Sequence, residues 1–163
     1  MTVYMLDTNV FNLVADGLLP LSALHGKACI ATHVQRDELG RTKNPDRLNA
    51  LNLVFETVLP KVVPTETSVW NDSNWGQGWA KSDTLYNDML QMLISLDRKS
   101  GKPVRPYTQS RDIRIAETAL RNQYTLVTED KNLRTVMLQF GGIAIRAAEL
   151  ADDAALNQNS PTT

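Results

Sequence analysis

Apolar positions along the chain come in two kinds of run. Short, largely apolar runs at Val3-Tyr4-Met5-Leu6, Ala28-Cys29-Ile30-Ala31 and Thr125-Leu126-Val127-Thr128 predict strands buried on both faces, as in a parallel sheet covered by helices. Between them, apolar residues recur at helical spacing. Val10, Phe11, Leu13 and Val14 follow the capping residues Asp7-Thr8-Asn9, and Val34 and Leu39 follow Thr32. Leu48, Leu51, Leu53, Val54 and Phe55 follow Pro45, a residue suited to a first turn. Leu85, Met89, Met92, Leu93 and Leu96 mark a long amphipathic helix over 82–100, which Gly101-Lys102-Pro103 stops. Further helices are predicted over 112–122 and 131–140, with a weaker strand over 58–63 and a last one over 143–145. Residues 64–81, rich in Thr, Ser, Asn, Gly and Trp, read as loop.

Strands and helices that alternate with short links predict an α/β fold, a three-layer sandwich around a central, mainly parallel sheet. At 163 residues the chain is expected to form a single domain over 1–150, with a disordered tail over 151–163. Right-handed crossovers then align the carboxyl ends of the strands along one edge, where such folds bind ligands. A charge balance of 17 basic against 18 acidic residues excludes a uniformly basic nucleic-acid coat. One cysteine, Cys29, allows no intramolecular disulfide, and with two histidines it makes no zinc cage. No apolar run approaches the ~18 residues that span a bilayer, and no basic region precedes the first apolar stretch. A soluble, cytoplasmic protein is expected.

The placement of the acids changes this picture. Asp7 follows the first strand, and Asp130 follows the Thr125–Thr128 run with one residue between. Asp112 is predicted to open a helix whose Ile115, Ala116 and Ala119 share a face, and Glu38 lies nearly two turns into the helix after the second strand. The adjacent Asp37 would point elsewhere on that helix. Taken singly, each Asp reads as a helix cap or first-turn acid, and Glu38 as a solvated one. Caps do not explain why the acids fall at strand ends that face one another in this topology. Converging carboxylates repel one another unless cations occupy the site. Oxygen donors without a histidine or thiol cluster favour Mg²⁺ or Mn²⁺, the usual equipment of phosphoryl chemistry.

Met5-Leu6-Asp7-Thr8-Asn9-Val10-Phe11 resembles the opening motif of the PIN-domain nucleases. Asp112-Ile113-Arg114-Ile115-Ala116-Glu117-Thr118-Ala119 and Leu126-Val127-Thr128-Glu129-Asp130-Lys131-Asn132-Leu133 are similar to that family's closing pair of motifs, and order and spacing match over about residues 3–147. The resemblance implies a PIN-like fold and a metal-dependent endoribonuclease, most often the VapC-type toxin of a toxin–antitoxin pair. Asp7, Glu38, Asp112 and Asp130 match the family's catalytic and metal-binding quartet. Asn9 and Thr128 match the polar residues that orient it, and Asn132 a less uniform auxiliary position. An RNA substrate, an antitoxin partner and a homodimer are implied with it. The stretch between Glu38 and Asp112 is longer than in compact toxins, which keeps open a stand-alone RNA-processing nuclease or a non-catalytic binding module. An aspartyl-phosphate phosphatase would want a second Asp where Asn9 stands, and a receiver-like module an acid pair that is not visible.

Two further features admit two readings each. Arg98, Lys99, Lys102, Arg105, Arg111, Arg114 and Arg121 outnumber the acids Asp112 and Glu117 between them. They form either a phosphate track, with Arg111 and Arg114 as its RNA contacts, or an ordinary solvated surface. Trp70, Trp75 and Trp79 either fill core beneath a loop or stack on unpaired bases.

Overall fold

The computed structural model describes residues 1–58, 61–65 and 84–150. Its elements run β1 (Val3–Leu6), α1 (Thr8–Ala15), a short 3-10 turn (Leu21–Ala23), β2 (Ala28–Thr32), α2 (His33–Gly40), α3 (Pro45–Val58), β3 (Lys61–Val63), α4 (Leu85–Lys99), α5 (Pro106–Arg121), β4 (Thr125–Val127), α6 (Lys131–Gln139) and β5 (Ile143–Ile145). The five strands pair in the order β3-β2-β1-β4-β5, all parallel. The α/β sandwich and its parallel sheet are as the sequence predicts.

The central strands β2, β1 and β4 are largely apolar and buried because both faces are covered, and alternation sorts their side chains between two cores. Met5, Ile30 and Leu126 pack with Met89, Leu93, Ile113 and Ile115 under α4 and α5. Leu6, Cys29, Ala31 and Val127 pack with Val10, Phe11, Leu39 and Leu51 under α1, α2 and α3. Burial pushes the Cys29 thiol up to about 11, so it behaves as a small core hydrophobe.

Three local expectations change. α5 begins at Pro106, not at Asp112, because proline with its fixed φ suits the first helical position; Asp112 therefore lies inside the helix and caps nothing. Leu53 is 65% exposed, since α3 turns only the stripe of Leu51, Val54, Phe55 and Val58 inward. The 3-10 turn carries no periodic signal long enough to predict it. Trp70, Trp75 and Trp79, most of the loop over 64–81 and the tail over 151–163 lie outside the described residues.

Connections leave β1 in opposite directions across the sheet: β2 and β3 lie on one side of it, β4 and β5 on the other. The carboxyl ends of β1 and β4 thus flank the topological switch point, the crevice where open parallel sheets bind ligands. Asp7 and Thr128 stand there, immediately beyond Leu6 and Val127, which are paired in register.

Candidate active site

Asp7 ends β1 and caps α1. Its backbone N–H extends the ladder to the Val127 carbonyl (3.0 Å), while Oδ1 accepts from the Thr8 N–H at 2.7 Å. Oδ2 accepts from Asn9 Nδ2 and from the Thr128 hydroxyl, both at 2.6 Å. That hydroxyl is a hub: it also accepts from Asn9 Nδ2 and from the Asp130 N–H, each at 3.1 Å. Asp130 caps α6 through Oδ1, which accepts from the Asn132 and Leu133 N–H groups at 2.8 and 3.2 Å. Asp7, Asn9, Thr128 and Asp130 therefore form one connected network across β1 and β4. The capping and convergence readings of Asp7 and Asp130 both hold.

Glu38 reaches the network from α2, where its Oε2 accepts from the Thr8 hydroxyl at 2.6 Å. Asp112 comes from α5. No described residue donates a hydrogen bond to its carboxylate, and it feels the charges of Asp7, Glu38, Asp130 and Asp97. The four predicted acids thus act on one another from four chain segments. As the side chains stand, no three of the described His, Cys, Asp and Glu residues are grouped tightly enough to hold a metal ion.

Burial and like charge distort the titration of this cluster. Burial raises Asp7 to about 6; the Thr128 and Thr8 hydrogen bonds oppose the rise, and the charges of Glu38 and Asp130 add to it. Burial and then the neighbouring acids push Asp112 well above its ordinary value. Asp130 goes the other way. Burial alone would raise it, but the Lys102 ammonium at 2.8 Å from Oδ2, together with the N–H groups of α6, holds it below its usual value. Gly101, at φ +73°, makes this pair possible by ending α4 in a left-handed turn that L side chains resist.

Of the predicted basic contacts, Arg111 is buried, with Nη2 donating to the Val34 carbonyl at 3.0 Å and Nη1 4.0 Å from Glu38 Oε1. Arg114 is fully buried, so it presents no surface to a phosphate. The cause is that α5 is packed on nearly every side: Ile113, Ile115 and Ala116 beside Arg114 are also without exposed surface.

Sequence reasoning missed three contributors. Thr8 is read as a cap, yet its hydroxyl holds Glu38. Gln35 completes a capping box with Thr32 and donates to the Leu6 carbonyl at 2.8 Å, which ties α2 to the end of β1; the Thr-x-x-Gln spacing is a readable signature. Asp97 is buried on α4 and accepts from Gln109 Nε2 at 2.6 Å and from Asn132 Nδ2 at 2.7 Å. Its signal is position, since Met89, Leu93 and Asp97 share one helical stripe and only the last is charged. Replacing Asp97 by Ala leaves Gln109 unbonded at Nε2 as well as Oε1, which already lacks a partner among the described residues. Urea denaturation should show about 2–4 kcal/mol lost, the scale of buried hydrogen bonds to a charged group; a loss under about 1 kcal/mol would mean the network is not holding α4 to α6.

No family model and no curated protein sequence matches the chain. Solved structures do resemble it. PAE2754 from Pyrobaculum aerophilum is 17% identical, with a TM-score of 0.55 over 95% of this chain and 98% of that one. A chain of VapBC2 from Rickettsia felis, solved bound to a DNA fragment from its promoter, is 13% identical, with a TM-score of 0.51 over 89% and 98%. VapBC-1 from nontypeable Haemophilus influenzae gives 16% identity and a TM-score of 0.50 over 90% and 99%. At such identities the likeness is one of fold, and it extends over nearly the whole of each chain. The sheet order, the switch point and these neighbours together show that the chain has the fold of the Pyrobaculum aerophilum protein and of the VapBC chains it resembles.

Proposed function

We propose that this chain is a Mg²⁺- or Mn²⁺-dependent endoribonuclease, with Asp7, Glu38, Asp112 and Asp130 as its catalytic and metal-binding acids. The observation that supports this best is Asp112. A half-buried carboxylate that is acted on by four other acids and given no hydrogen bond by any described residue is poorly suited to stabilising the fold. It suits a site that receives a cation. The donors are hard oxygens, which match Mg²⁺ or Mn²⁺ in chemistry and in charge. Because the carboxylates stand apart, binding an ion entails drawing their side chains together.

When bound, the ion supplies water activation and neutralises charge on the phosphate. The chain's own residues orient the acids. Thr128 and Asn9 fix the Asp7 carboxylate, Thr8 fixes Glu38, and Asp97 restrains Asn132 at the start of α6. Lys102, exposed beside Asp130, is placed to meet a phosphate oxygen as substrate arrives. Water attacks phosphorus in line, leaving a 3′-hydroxyl and a 5′-phosphate, with no side chain as covalent nucleophile.

The partners named with the neighbouring structures extend the proposal. The Rickettsia felis VapBC2 structure holds promoter DNA, and by analogy with such pairs this chain is a single-domain toxin that forms a homodimer and is held by an antitoxin. A cytoplasmic location belongs to the same proposal. Among the described residues no helix is long and apolar enough to cross a membrane. The test is cleavage of a single-stranded RNA by the purified chain with Mg²⁺, with Mn²⁺ and with excess chelator. Cleavage with either metal and none in chelator is expected; equal cleavage in chelator would overturn the metal mechanism.

A further inference from the structure

Asp130 has no oxygen to spare. Its Oδ1 accepts from the Asn132 and Leu133 N–H groups, and its Oδ2 accepts from the Lys102 ammonium at 2.8 Å. The bonds to Oδ1 belong to the cap of α6 and last as long as that helix does. The ammonium is a cation that the chain itself supplies. An ion on Oδ2 would press against it, and like charges at that range repel. The pair is also built in. The Lys102 N–H donates to the Asp97 carbonyl at 2.9 Å across the left-handed turn at Gly101. Asn132 Nδ2 donates to Asp97 Oδ1 and to Ser100 Oγ, at 2.7 and 2.9 Å, which clamps this turn to the first turn of α6.

The backbone beneath Lys102 is therefore fixed beside Asp130, while its side chain is 44% exposed on a flexible stem. Arg111, the cation on the Glu38 side, is the opposite case. It is buried and donates to the Val34 carbonyl, 4.0 Å from Glu38, so it stays. Of the two, only Lys102 can swing into solvent without disturbing the core. We infer that Lys102 is a tethered counter-ion of the acid cluster: it balances Asp130 when no metal is bound, and a divalent ion has to displace it from Oδ2 in order to bind there. The inference rests on the proposed reading of Asp130 as a metal ligand. Lys102 then raises the metal concentration at which the site fills, and its displacement frees it to meet a phosphate oxygen.

The test uses the full chain without RNA. Mn²⁺ binding is followed by the electron paramagnetic resonance of the free ion, and thermal melts are run in chelator and in saturating Mn²⁺. Lys102→Met keeps the stem and removes the charge. It should bind Mn²⁺ about fivefold more tightly, the upper worth of an exposed ion pair. In chelator it should melt about 2–4 °C lower. In saturating Mn²⁺ that gap should close, because the ion breaks the pair in the unmodified chain too. Lys102→Arg should restore both values, and Lys131→Met, which removes an exposed neighbouring cation, should move neither. Unchanged or weaker Mn²⁺ binding in Lys102→Met, an equal tightening in Lys131→Met, or a melting gap that survives saturating Mn²⁺ would each overturn the counter-ion. The two readings fail differently. Absence of Mn²⁺ binding in every chain overturns the metal reading of Asp130 and the inference with it; binding that Lys102→Met leaves unchanged overturns the inference alone.

Discussion

Asp112→Asn is expected to abolish RNA cleavage and, in chelator at neutral pH, to raise the melting temperature. The two effects share one cause. Asp112 lies inside α5, between Arg111 and Ile113, both buried, and its charge is disfavoured first by burial and then by Asp7, Glu38, Asp130 and Asp97. Asn keeps the shape and removes the charge, and no hydrogen bond from a described residue is lost. In a chain of this size each kcal/mol of relief raises the midpoint by about 2–4 °C. Cleavage should fall by roughly two to three orders of magnitude, the scale of removing one electrostatic group from an active site. The stabilisation by Mn²⁺ seen in the unmodified chain should shrink or vanish. Asp130→Asn provides the contrast, because that carboxylate is stabilised by Lys102 and by the N–H groups of α6; its loss should lower the melting temperature. Glu117→Gln, an inviting control by sequence, is a poor one: Glu117 is fully buried and paired with Arg121 at 2.9 Å. Retained cleavage in Asp112→Asn, or a melting temperature that falls as in Asp130→Asn, would remove the basis for a cation site.

What the sequence made legible follows from how local each cause is. Strand ends were readable because uninterrupted apolar runs stop at Asp7 and Thr128, and parallel topology then fixes where those ends lie. That reasoning placed Asp7 and Asp130 together, whereas Asn9 and Thr128 entered only through the resemblance to the PIN-domain motifs. Glu38 and Asp112 needed more, since their approach depends on how α2 and α5 cross the sheet edge. α5 shows the difference. Arg111 and Arg114 read as RNA contacts because they flank Asp112, but the helix is packed on nearly every side, buries both and leaves Tyr107 at the surface. The role of Asp97, and the pairing of Lys102 beyond its place in a basic run, were illegible for a different reason. Each acts through a partner distant in sequence, Asn132 in one case and Asp130 in the other, and nothing within either segment names that partner.

In chelator, stability should fall as pH rises from about 4 to about 6, the reverse of the trend that ordinary salt-bridged carboxylates produce. Asp7 sets this window. Its folded pKa is raised from 3.8 to about 6, so the folded chain holds the proton more tightly than the unfolded chain does. The stability this confers is fully present below about pH 4 and is lost as pH rises through about 6. A rise of that size corresponds to a loss on the order of 3 kcal/mol. Asp112 shifts in the same direction and adds to the fall. Asp130, held below its usual value, has the opposite sign: its stabilisation is present above about pH 4 and is lost only at lower pH, outside the window. Surface acids and histidines contribute a background, which the difference between the unmodified chain and Asp7→Asn cancels. That difference should move in favour of the variant as pH rises from about 4 to about 7. The variant is nonetheless the less stable chain at low pH, because the protonated Asp7 carboxyl still accepts through both oxygens, whereas the nitrogen of an amide in its place accepts from neither Asn9 nor Thr128. A divalent ion that binds only the folded chain restores about 2.7 kcal/mol at 100 times its Kd, so Mn²⁺ should flatten the profile above about pH 6 for the unmodified chain and leave the variant nearly unmoved. Urea titrations at closely spaced pH values, with chelator and with Mn²⁺, measure all of this. Parallel profiles for the two chains would mean that the Asp7 carboxylate titrates as it does in water, and that the charge held at the end of β1 needs no cation to balance it.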